Sequence, residues 1–275
     1  MKSIRLLLLS AFLLISGCDS SSDLGFDDTY VVEAFLFENE PVSNVRVTLA
    51  GSTTTDDPTE TAVNNAMVVL SRGSDSWTLE SSNTEGFYHY AGSDLVVNQG
   101  DTFSLEVVAG GQTLTADTTV PLSPQGVSVS TDTITLPDFR ADPFRLREVL
   151  QGTNANIIVT WDNSNQDYFF IAVRVPELSD PDYILPDFIR DRFAGFERIT
   201  EPTVENFYEV PFRDFEVFGI HYVSVYRVND EYAALYESRE QDSRDLNEPP
   251  SNIRGGVGVF SGFSTVLTSF TIIKE

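Results

Sequence analysis

Side-chain catalysis needs nucleophiles, bases or metal ligands that converge, and this chain is sparing with them. It holds two histidines, His89 and His221, and one cysteine, Cys18. A zinc site takes three or four converging ligands, and an activated serine needs a histidine beside a strained Gly-x-Ser-x-Gly turn. That turn occurs nowhere in the sequence. Each histidine lies in an alternating, aromatic-rich stretch, so each reads as a packed side chain rather than a ligand. Gly256-Val257-Gly258 lacks the third glycine of a dinucleotide fingerprint and reads instead as a close backbone approach or bulge before a final strand. No catalytic residue and no metal ligand is assigned.

Oxygen chemistry is the next possibility, because carboxylates are plentiful. Glycosidases need two carboxyl groups about 5–9.5 Å apart. A chain with 42 acidic residues offers pairs at any spacing, so solvated faces are the expectation. No cofactor is expected, with a structural calcium as the one ionic candidate, since loops supply its oxygen ligands readily. Asp162-Asn163-Ser164-Asn165-Gln166-Asp167 carries a side-chain oxygen at every position, yet lacks the glycine and distant glutamate of an EF-hand. A simple turn is the plainer reading there. Asp56, Asp57 and Glu60 rate no better. Aromatics supply the last candidate: Tyr183, Phe188, Phe193, Phe196 and Tyr208 could stack on sugar rings or fill a partner's groove. The competing reading is a satellite core that packs their segment onto the body.

Cys18 points to a different chemistry. It follows a charged start, an apolar run from Leu6 to Ile15 and the small pair Ser16-Gly17. The run is shorter than the roughly 20 apolar residues that span a bilayer and fits the apolar core of a secretory signal. Leu14-Ile15-Ser16-Gly17-Cys18 resembles a lipobox, in which the signal is cut before the cysteine and the new terminus is acylated. Palmitate-type chains at Cys18 would anchor the mature protein to a membrane, because each buried methylene adds about 0.8 kcal/mol. With the only thiol lipidated, disulfides are excluded and stability rests on burial.

Composition bounds the body behind this anchor. Removing Lys2 and Arg5 with the signal leaves 15 basic residues against 42 acidic ones, a net charge near −27. Such a surface repels phosphates, so nucleic acid is excluded as a partner. Hydrophobic residues at 41% and aromatics at 12% suffice for folded cores. Lys274 is the sole lysine outside the signal, a bias that fits either a saline source or ordinary drift toward acidity.

Period-two alternation runs almost throughout. Tyr30–Phe37, Val45–Leu49, Ala66–Ser71, Trp77–Leu79, Gly86–Tyr90, Phe103–Val108 and Thr113–Val120 read as strands, with a long polar loop from Gly51 to Asn65. Short strands at roughly 8–12 residue spacing indicate an antiparallel sandwich. Pro121 and Pro124 mark an exit. Beyond it, Val127–Leu136, Ile157–Trp161, Tyr168–Val175, His221–Val228 and Ser264–Ile273 read as strands, and Asp187–Phe196 and Glu231–Arg239 as short helices. Trp161 against Tyr168 resembles the start of a fibronectin type III sandwich. The expected fold is therefore all-β, two antiparallel sandwich domains of immunoglobulin or fibronectin III type. The expected division is signal 1–17, tether 18–29, first sandwich 30–124 and second sandwich 125–275, with an aromatic insertion at 176–211.

Particular phrases resemble a known family. Tyr30-Val31-Val32-Glu33-Ala34-Phe35-Leu36, Val45-Arg46-Val47-Thr48-Leu49, Asn65-Ala66-Met67-Val68-Val69-Leu70, Gly86-Phe87-Tyr88 and Ser251-Asn252-Ile253-Arg254-Gly255-Gly256-Val257-Gly258-Val259-Phe260 are similar to the family numbered 4249 among the domains of unknown function. The resemblance implies an outer-membrane lipoprotein of Bacteroidota type, often encoded near a TonB-dependent receptor. The implied partners are the membrane, through lipid on Cys18, and such a receptor. The implied role is non-enzymatic: an accessory or ligand-binding component of the transporter, on the cell surface or the periplasmic face. Rival roles are an adhesin or structural surface protein, and a glycan-binding protein with weak hydrolase activity.

Overall fold

The computed structural model describes residues 29–50, 60–141, 145, 156–186, 198–212, 215, 217–239 and 250–275. Cys18, the signal and tether, Asp56, Asp57, the expected helix at 187–196 and the aromatics Phe188, Phe193 and Phe196 lie outside these residues.

The first half contains β1 (Tyr30–Phe37), β2 (Asn44–Leu49), β3 (Thr61–Ala62), β4 (Met67–Arg72), β5 (Asp75–Ser81), β6 (Phe87–His89), β7 (Thr102–Ala109) and β8 (Gln112–Thr119). Alternation drives these elements. In β1, Tyr30, Val32, Ala34 and Leu36 point inward while their neighbours are half-buried, as a strand with one covered face requires. Between β7 and β8, Gly110 and Gly111 both take positive φ, 56° and 83°, the geometry a two-residue hairpin turn demands. The expected loop from Gly51 to Asn65 is corrected at its far end: Thr61 and Ala62 form β3, paired with Leu49 and Thr48.

The second half contains β9 (Ser128–Val129), β10 (Thr133–Leu136), β11 (Ile157–Thr160), β12 (Tyr168–Arg174), β13 (Arg198–Ile199), β14 (Phe207–Val210), β15 (Gly219–Val228), α1 (Asp230–Arg239) and β16 (Val257–Lys274). The strand expected over Val127–Leu136 is broken into β9 and β10, which join different sheets. The segment read as an insertion supplies β13, paired with β12, and β14, paired with β11. The helix expected at Glu231–Arg239 is present as α1.

One large sheet runs β13-β12-β15-β16-β1-β2-β6-β5-β4-β7-β8, and a small one runs β14-β11-β9. Most pairings are antiparallel, but β1 and β10 both run parallel to β16. In the first half the sheet curls over a core that includes Val32, Leu36, Leu70, Trp77, Phe103 and Leu114. In the second half the small sheet packs on β12, β15 and β16 around Ile157, Trp161, Phe169, Val223 and Phe270. Burying a side chain of this size contributes roughly 1.5–3 kcal/mol, so these two clusters hold the halves together.

β16 is far longer than the strand expected at Ser264–Ile273, because the glycine-rich stretch before it is strand as well. Its start pairs with β1, from Val31 opposite Val257 to Phe37 opposite Phe263. Its remainder pairs with β15, from Val228 opposite Phe263 to Gly219 opposite Ile272. One strand thus serves both halves, contributing Phe260 to the first core and Phe270 and Ile272 to the second.

Candidate functional site

The two halves meet along a cleft of about 440 Å³, lined by the end of β8, the ends of β12 and β15, and the first turn of α1. Its charged and polar walls include Asp117, Thr118, Asp167, Arg227, Asn229 and Glu231. The volume is within the range that small-molecule pockets occupy.

The polar groups here are largely turned on one another. Arg227 donates to Asp167 at 2.6 Å, and the Asn229 amide donates to the Thr118 hydroxyl at 2.9 Å and to the Thr119 carbonyl at 3.0 Å. Asp117 accepts from Arg254 at 2.8 Å and from Ser104 at 2.6 Å, and those bonds, Arg254 first, hold its carboxyl below the ordinary value against a modest opposing effect of burial. Thr102 and Thr119 hydroxyls share a hydrogen bond at 2.9 Å. A buried polar group without a partner costs about 1–3 kcal/mol, so this reciprocity makes the cleft a polar seam that fixes the halves against each other. Nothing in the sequence brings Asn229 to Thr118, since they are 111 positions apart.

Beside the seam lies a third apolar cluster. Phe170 stacks on Tyr226 at 4.6 Å and Phe37 on Phe263 at 4.7 Å, while Tyr232 of α1 meets Phe35 and Phe263 edge-on. These rings come from β1, β12, β15, β16 and α1, so α1 closes the outer face where the halves join. Sequence reading missed this grouping because its rings come from four strands and a helix far apart in the sequence. Tyr168 belongs here and not against Trp161; Trp161 packs on Phe169 at 5.5 Å. Successive strand residues face opposite sides, so Tyr168 and Phe169 cannot share a core.

The expected ligand-binding aromatics are not assembled into one site by the described residues. Tyr208, on β14, packs against the second core, as a satellite-core role requires. Tyr183 makes an isolated backbone bridge with Val217.

His221 is sealed. It is 0% exposed, stacks on Phe270 at 5.1 Å and meets Phe215 edge-on, with Nδ1 placed 3.3 Å from the Gly219 carbonyl. Burial pushes its pKa down to about 4, against a smaller upward pull from that carbonyl. His89, on β6, is half-buried opposite Glu80. In the oxygen-rich turn from Asp162 to Asp167, Asn163 accepts from the Asp167 amide and donates to the Asp167 and Val204 carbonyls. Asp167 faces Arg227, and Glu60 pairs with Arg46 at 2.9 Å. Among the described residues no group of three or more histidine, cysteine or acidic side chains could hold a metal ion.

The match that places the chain is to a family model described as a domain of unknown function, DUF4249, over residues 18–268. The chain belongs to this family. No curated protein matches it. Among solved structures it is similar to domains A168-A170 of titin, with 10% identity, a TM-score of 0.21 and coverage of 74% of this chain and 61% of that one. It is also similar to the FN1-FN3 domains of chicken CNTN1, with 10% identity, a TM-score of 0.26 and coverage of 88% and 64%. The chain thus matches less than two thirds of the length of either. Similarity this distant decides nothing further, and the all-β, sandwich-like architecture of this DUF4249 member rests on its own sheets. No described helix is long and apolar enough to cross a membrane.

Proposed function

We propose that this DUF4249 protein is a non-enzymatic outer-membrane lipoprotein that serves as an accessory or ligand-binding component of a TonB-dependent transporter. The observation that carries the reading is Leu14-Ile15-Ser16-Gly17-Cys18, set a short polar segment ahead of the first strand at Tyr30. Cleavage there makes Cys18 the mature terminus, and several acyl chains on it hold a water-soluble body at the membrane.

Two further features favour binding over turnover. His221 is enclosed by phenylalanines, and Asp117, Asp167, Arg227 and Asn229 of the seam are bonded to neighbouring groups, which leaves none of these arranged for acid–base work. The transporter is inferred from the gene context that the family resemblance implies.

The test is a pull-down through a tag after Glu275, from membranes solubilised in mild detergent, with identification of the copurifying proteins. A TonB-dependent outer-membrane receptor should copurify in near-stoichiometric amount. Recovery of the chain without such a receptor, or turnover of a polysaccharide by the purified chain, contradicts the reading.

A further inference from the structure

The stretch from Gly255 to Gly262 lies where the far end of the chain threads between two strands of the first half. A Cβ on Gly255 would sit 2.6 Å from the Thr113 carbonyl oxygen, and one on Gly262 would sit 2.8 Å from the Val120 Cα. On Gly256 it would overlap the Leu114 side chain, and on Gly258 the Val32 carbonyl. Gly258 also has φ +122°, a backbone conformation that β-branched residues avoid. β1 and β8 therefore approach this segment at distances that glycine admits and larger residues do not.

Both sides of the approach are hydrogen-bonded. On one side β1 pairs with β16 from Val31 to Phe37. On the other, Thr115 of β8 exchanges two backbone bonds with Arg254, at 3.0 and 2.8 Å. The first half's run of strands, β1-β2-β6-β5-β4-β7-β8, is in this way closed on itself by residues from the other end of the sequence. Ile253 and Phe260 complete its core. The same strand continues into the second half, pairing with β15 and β10 and placing Phe270 and Ile272 in that core.

We propose that β16 is a shared closing strand: neither half is complete until residues 253–274 are seated, so the two halves fold and unfold as one unit. The residues that close the structure are made after every strand they join. Until they arrive, β1 and β8 present bare edges, and the first half stays open. For an exported chain this delays locking until these residues are delivered, a consequence that rests on the membrane reading above; the coupling itself does not.

The chain's two tryptophans allow a direct test, because Trp77 lies in the first core and Trp161 in the second. Fluorotryptophan labelling gives each half its own fluorine resonance in the full chain. Both native signals are expected to disappear at the same denaturant midpoint. Val68→Ala, which touches the first core alone, is expected to lower the Trp161 midpoint by the same amount as the Trp77 midpoint. Gly258→Val, at the crossing itself, should abolish both native resonances together. A Trp161 midpoint that stays in place while that of Trp77 falls in Val68→Ala overturns the proposal, whatever Gly258→Val does. These readouts do not depend on the anchor or on any transporter.

Discussion

His221 shows how burial alone sets a residue's chemistry. With its pKa lowered from 6.5 to about 4, it is neutral across the working range, and its cage of Phe215 and Phe270 keeps water away. In the unfolded chain it takes up a proton near pH 6.5; in the folded chain it does so only near 4. The unfolded state therefore binds more protons in that window, and stability is full above pH 6.5 and falls as pH drops toward 4. At about 1.4 kcal/mol per unit, the loss reaches about 3 kcal/mol. Chemical denaturation between pH 7 and 4 should reveal it, and His221→Phe, which cannot titrate, should flatten that part of the profile. A variant profile parallel to that of the unchanged protein would contradict this account. The carboxyls held low by ion pairs and hydrogen bonds, such as Asp101 and Asp117, lose their contribution progressively below about pH 5, so it is the comparison with His221→Phe that separates the two effects. At this scale the inventory was legible in the sequence: two histidines in alternating aromatic stretches read as packed, and His221 is packed. The seam was not legible, because Asn229 with Thr118, and Arg254 with Asp117, depend on a topology that spacing does not encode.

Among elements, strands with one covered face were readable because alternation is a direct imprint of burial: β1 was expected at Tyr30–Phe37 and stands there. β3 and β13 were missed because two residues leave too little pattern, and β14 because it lies in the stretch read as an insertion. β16 was cut short because its glycines resemble a loop, whereas they mark close approach of neighbouring backbones. The segment leading into this strand is held by Asn252, whose amide donates to the Phe260 carbonyl at 2.8 Å and accepts from the Phe260 amide at 2.9 Å. Asn252→Ala removes both bonds and leaves a partly buried backbone pair without its partner. We expect a loss of about 1–3 kcal/mol in unfolding free energy, measured by urea titration. A loss within error of zero would mean that the strand's own pairing suffices to seat it.

For the whole molecule, the sandwich class was visible in strand spacing, yet the division at residue 124 could not reveal that the final strand runs through both halves. That strand, the polar seam and the aromatic cluster under α1 join the halves into a body whose acidic surface is poorly suited to anionic partners. The membrane location proposed for it depends on Cys18. The most direct measurement is metabolic labelling with radioactive palmitate, followed by fractionation, comparing the unchanged chain with Cys18→Ser. The account predicts label and membrane association for the former, and for the variant loss of label and release from the membrane fraction. An unlabelled parent protein found free in the culture medium would contradict it.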